Sequence, residues 1–158
     1  MTLTTALPVQ ADRDPQALVD PETFDKLTEF FAARQEVTKI YARRAVGQML
    51  LMLKAHANSQ HDPDFGRLLP DGRSYRVVPT EPVDAAWHAS LQHTEAYAAA
   101  CEQIAGGFVH HVPILTEGMA DGSSLEYTRQ ALKATGYYID PEFWDGEAKS
   151  CCPPNPGI

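Results

Sequence analysis

An aspartate and a histidine four residues apart on a helix stack on one face, and Asp84 and His88 have that spacing. The carboxylate of such a pair can fix the imidazole's tautomer or share a metal ion with it. Four of the six histidines, His88, His93, His110 and His111, fall between positions 88 and 111. The diglycine Gly106-Gly107 reverses the chain ahead of His110-His111-Val112-Pro113, which would return one of the two rings towards Asp84 and His88. Adjacent side chains point in different directions, so at most one of the pair is expected there. Two or three neutral imidazoles with a carboxylate suit zinc or iron, which makes Asp84, His88, His110 and His111 the candidate ligands. No C-x2-C or H-E-x-x-H spacing accompanies them.

The same residues carry a second reading. A histidine beside a core tryptophan, as in Trp87-His88, also serves as a buried donor that ties a loop to a helix. Thr94 and Tyr97 offer hydroxyls to a bound anion or oxyanion, and Tyr97 equally suits core packing with its hydroxyl satisfied. Asp84, Trp87, His88, Thr94 and Tyr97 thus form the candidate ligand or structural site. Cys101 reads as an inert small hydrophobe. Cys151 and Cys152 are adjacent in a proline-rich terminus, where exposed vicinal thiols could hold a soft ion or carry a modification. With no G-x-S-x-G, phosphate loop or dinucleotide fingerprint, the common hydrolase, kinase and dehydrogenase templates have no support.

The elements that must position these groups are helical. Asp20-Pro21-Glu22 supplies an N-cap oxygen, a proline at the first helical position and an acid in the first turn, and Phe24, Leu27 and Phe31 follow at helical spacing. A second stripe runs through Val37, Ile40, Tyr41, Gln48, Leu51, Met52 and Ala55. The two stripes read as one long bent helix or as an antiparallel pair joined near Arg34-Gln35-Glu36, with Gly47 a weak spot in either case. Residues 58–72 carry the turn chemistry of a long loop, and a strand fits only at 74–78. A third helix is expected from around Thr80–Pro82 to Ala105, with Trp87, Leu91, Thr94, Ala98, Cys101 and Ala105 as one buried seam. A fourth begins at Ser123, whose capping box closes on Glu126, and ends before Gly136. Asp140-Pro141-Glu142 then opens a short turn that inserts Phe143 and Trp144.

The expectation is a mostly α, single small helical domain of four to five helices over 20–146. A flexible N-terminal arm occupies 1–19 and a Cys/Pro tail 147–158. At 158 residues and 44% hydrophobic content the chain can bury an ordinary core without staples. Thirteen Lys and Arg against twenty-one Asp and Glu give a net charge of -8, which repels phosphate backbones and anionic membranes, so neither nucleic acid nor membrane is an expected partner. An N-terminus without a basic and then apolar leader, and three cysteines read as reduced thiols, give a cytoplasmic reading.

The string Val83-Asp84-Ala85-Ala86-Trp87-His88, then His93-Thr94, Tyr97, Cys101, Gly106-Gly107-Phe108 and His110-His111-Val112-Pro113, resembles an uncharacterised bacterial protein family. The shared pattern reads V-D-x-x-W-H, H-T, Y, C, G-G-F and H-H-x-P. A shorter version is similar to the helical repeat of plant glycine-rich-domain-containing proteins, although Ser90 stands where the plant form has a second histidine. The resemblance implies a helical domain with Asp84, Trp87, His88, Cys101, His110 and His111 at signature positions, and implies no reaction. Three functions stay open. The first is a binding or accessory domain whose Trp-His/His-His-Pro groove takes a protein or small-molecule partner. The second is a metal-dependent enzyme or metal-handling protein using Asp84, His88 and His110 or His111. The third is a carrier or substrate protein modified at Cys151-Cys152.

Overall fold

Three Asp-Pro pairs start three of the helical elements in the same way. Each aspartate accepts a hydrogen bond from a backbone N–H of the first turn while the proline occupies a position that has no N–H to satisfy. Asp14 takes the N–H of Gln16 at 3.0 Å, Asp20 that of Thr23 at 2.9 Å and Asp140 that of Glu142 at 3.2 Å. The computed structural model describes residues 12–61, 76–111 and 123–146. Of these, 73% are helical and none forms a strand, so the fold is mostly α.

A 3-10 turn, Pro15–Leu18, leads into α1 (Pro21–Gln35) and α2 (Lys39–Ser59). After these come α3 (Glu81–Gln92), α4 (Thr94–Ala105), α5 (Ser123–Ala134) and the single turn α6 (Pro141–Trp144). Of the two alternatives for the first stripes, the pair is observed. Glu36 adopts a left-handed conformation at φ 51° that ends α1, and Thr38 caps α2 by accepting from the N–H of Tyr41 at 3.1 Å. The expected strand at 74–78 is absent where it can be seen, over 76–78. There the N–H of Val78 bonds the hydroxyl of Thr128 on α5 at 2.9 Å instead of a neighbouring strand.

The second helix is the centre of the fold rather than a one-sided stripe. Every residue from Ala45 to Leu53 is buried, because α1, α3, α4, α5 and the 3-10 turn all pack on it. A helix covered all round has no solvent face to display. Gly47 lies where the 3-10 turn crosses: a Cβ added there would sit 3.7 Å from Pro15 Cβ, an ordinary contact, so the helix passes through this point unbroken. Ile40, expected in the core stripe, is instead 76% exposed on the first turn.

Gln48 is the polar hub of this core. Its Oε1 accepts the N–H of Asp140 at 3.1 Å and the indole N–H of Trp144 at 2.8 Å, and its Nε2 donates to the carbonyl of Tyr138 at 3.2 Å. All three bonds pin α6, so Phe143 and Trp144 are inserted into the core as the sequence implied. Thr80, at the start of α3, donates its hydroxyl to the carbonyl of Phe143 and so links α3 to the same turn.

Two boundaries are corrected. Residues 12–19 of the expected arm belong to the fold: Pro15 and Val19 are buried, and the N–H of Tyr138 donates to the carbonyl of Arg13 at 2.7 Å. Residues 1–11 and 147–158 lie outside the described residues, and with them the expectations for Cys151 and Cys152. The expected single helix from Thr80 to Ala105 is two helices broken at His93, whose backbone at φ -91° and ψ 71° is not helical. Ser90 bonds back to the carbonyl of Ala86 at 2.8 Å, a competition that favours bending. His93 then caps α4, its Nδ1 accepting from the N–H of Ala96 at 3.3 Å.

The break shifts the register of α4, and the expected seam fails with it. Thr94, Ala98 and Ala105 are exposed, whereas Ala96, Tyr97, Ala100, Cys101 and Ile104 are buried.

Candidate functional site

Asp84 lies in the first turn of α3 and His88 one turn later, so both project from one face of that helix. Asp84 is on the inner side, with its side chain nine-tenths buried, while the His88 side chain is 40% exposed. The third member arrives from the far end of α4. Gly106, at φ 72°, ends that helix with its N–H on the carbonyl of Glu102 at 3.0 Å, and the chain then turns back. Only glycine takes this left-handed conformation without strain.

The returning segment is held by Tyr97, which is buried on α4. Its hydroxyl accepts the indole N–H of Trp87 at 2.9 Å and donates to the carbonyl of Val109 at 2.5 Å. Burial raises the Tyr97 pKa well above the ordinary phenol value, so the hydroxyl stays protonated and can donate. Two residues on, the ring of His111 packs against Trp87 with centroids 4.2 Å apart and against His88 at 4.7 Å. The His111 side chain is 9% exposed.

Asp84, His88 and His111 therefore meet as one group, each offering a ligand atom within 4.8 Å of the others. His88 Nδ1 stands 3.5 Å from Asp84 Oδ2, and His111 Nε2 stands 3.5 Å from Asp84 Oδ1. These separations exceed the roughly 2.7–2.9 Å of a charge-assisted hydrogen bond. Accordingly the buried Oδ1 of Asp84 has no hydrogen-bond partner among the described residues. Leaving such an atom unpaired costs about 1–3 kcal/mol. Two metal–ligand bonds of about 2.0–2.2 Å to one ion place their donor atoms roughly 3–3.5 Å apart, which is the spacing of the Asp84–His111 pair. The group could hold a metal ion.

Of the two adjacent histidines, His111 is the one that joins Asp84 and His88. His110 is exposed, with its ring against Phe108 at 4.9 Å, and is not a member of the group. Thr94, exposed at the start of α4 after the break at His93, is not a member of the group. Trp87 packs on the His111 ring and donates to Tyr97, which anchors the chain at Val109. Cys101 is buried, as expected of an inert hydrophobe. The carbonyl of Val109, to which Tyr97 anchors the returning chain, escaped the sequence reading because a backbone acceptor carries no residue-type signal.

No helix among the described residues is long and apolar enough to cross a membrane. No protein-family model, curated protein or solved structure matches this chain.

Proposed function

We propose that the protein binds one divalent transition-metal ion, zinc or ferrous iron, through Asp84, His88 and His111, and acts as a metal-dependent or metal-handling domain. The observation that carries this reading is the buried Asp84 Oδ1, held within reach of His111 and unsatisfied by any described hydrogen bond. A tie evolved for stability alone would close to hydrogen-bond distance, whereas a ligand set keeps its oxygen turned to the ion.

Two imidazoles and one carboxylate leave coordination positions for water or substrate, as in catalytic zinc sites and two-histidine, one-carboxylate iron sites. The half-exposed His88 gives the group its access to solvent. When bound, the ion would supply Lewis acidity and an acidified water. Asp84 would balance its charge, and His111, held by Trp87 and Tyr97, would fix one coordination direction.

Thermal unfolding tests the reading. Zinc at one hundred times its dissociation constant should stabilise the wild type by about 2.7 kcal/mol and leave His111→Ala nearly unmoved. In metal-free protein Asp84→Asn should be neutral or stabilising, because it removes a buried carboxylate whose Oδ1 has no hydrogen-bond partner among the described residues. If Asp84→Asn destabilises the metal-free protein and zinc has no effect on the wild type, the group is a structural tie and the proposal fails.

A further inference from the structure

The segment that carries His111 to the metal-ligand group turns His110 the other way, into a separate cavity of about 550 Å³. It lies between the last turns of α2 and α4 and the chain around Arg76. Its volume is within the range of small-molecule sites, roughly 300–1,000 Å³.

The described lining of the cavity is opposite in charge to the chain. Lys54, His56, His61, Arg76 and His110 line it, and none of its described lining residues is an acid, although the chain as a whole carries -8. No carboxylate among the described residues pairs with Lys54 or Arg76. The carbonyl ends of α2 and α4 absorb part of this positive charge, but a helix terminus supplies only about half an elementary charge. Ile104 and the half-exposed Phe108 add an apolar wall. Crowding of positive charge is felt within the cavity: burial, and then the nearby Arg76, lower the His56 pKa.

We infer that this cavity, with Lys54 and Arg76 as its fixed cations, binds a small molecule bearing an oxyanion, phosphate or carboxylate. The imidazoles would add donors and the Ile104–Phe108 wall would cover the ligand's apolar part. The inference does not rest on the metal reading, since none of the three metal-ligand residues lines the cavity.

Amide spectra of the isotope-labelled protein, titrated with inorganic phosphate and separately with acetate against chloride at matched ionic strength, test it. Saturable shifts confined to residues 54–61, 76 and 104–110 are expected, and the anion that saturates at lower concentration identifies the class. Lys54→Gln with Arg76→Gln should weaken binding by about ten-fold or more, the worth of one charge-assisted contact. Lys133→Gln on α5 and Asp84→Asn should leave it unchanged. Should the double variant be unstable, Arg76→Gln alone, at an exposed position, carries the test. Shifts that match those in chloride, binding unchanged in the cation variants, or binding lost in Asp84→Asn would overturn the assignment.

Discussion

The hydroxyl of Tyr97 takes the indole N–H of Trp87 at 2.9 Å and in the same position donates to Val109, two residues before His111. One phenol thus locks α3, α4 and the returning chain together. Tyr97→Phe keeps the ring and removes both bonds, leaving a partly buried indole N–H and a carbonyl without these partners. The expected loss is about 1–3 kcal/mol of stability, with metal affinity lowered by roughly 10–100-fold as His111 loosens. Urea unfolding and zinc titration of the variant check the two parts, and an affinity equal to wild type would remove Tyr97 from the support of the site.

Gln48 makes three hydrogen bonds to α6 and its approach while only 2% exposed. Gln48→Leu preserves volume but strands the N–H of Asp140, the indole of Trp144 and the carbonyl of Tyr138. A loss of about 3 kcal/mol or more is expected, since each buried unpaired group costs about 1–3 kcal/mol. Trp144 fluorescence should shift towards the solvent-exposed value as α6 loosens. A melting temperature equal to wild type would show that these bonds are replaced by water.

His56 gives the fold an acid sensitivity. Burial first, then Arg76, lowers its pKa below the ordinary 6.5. The native state therefore keeps the ring neutral where the unfolded chain protonates it. The contribution is full above 6.5 and is lost as pH falls from 6.5 through the folded value, where both states bind the proton. Lys54, His61, Arg76 and His110 share its cavity and act in the same direction when charged. In metal-free protein the urea midpoint should fall between neutral pH and about one unit below the ordinary histidine value, and His56→Gln should fall less. Equal slopes would contradict the assignment to His56.

Helix starts were the most legible feature of the sequence, because Asp-Pro pairs at 20–21 and 140–141 combine a cap oxygen with a fixed φ. The same pair at Asp14-Pro15 went unread: the expected arm spans 1–19, although the described part of it packs into the fold. The break at His93 was not legible. It has no glycine or proline, and the alanines of α3 and α4 fit two helical registers equally well, so the periodic seam chosen across it placed Thr94 and Ala98 on the wrong side. Asp84 and His88 could be paired from spacing alone, because a helix fixes the relation of i and i+4. Choosing His111 over His110 required the turn after Gly106 and the anchor of Val109 on Tyr97, both of them tertiary. The cationic cavity was invisible for the same reason: Arg76 and the α2 terminus meet only in the fold.

Zinc binding to tag-free, chelator-stripped protein tests the central claim most directly, read as bound metal per chain at equilibrium. The predicted result is one equivalent in the wild type and in His110→Ala, lost in Asp84→Asn and in His111→Ala, with circular dichroism showing both losing variants still helical. Substoichiometric zinc in the wild type, or one equivalent retained in Asp84→Asn and His111→Ala, would contradict it.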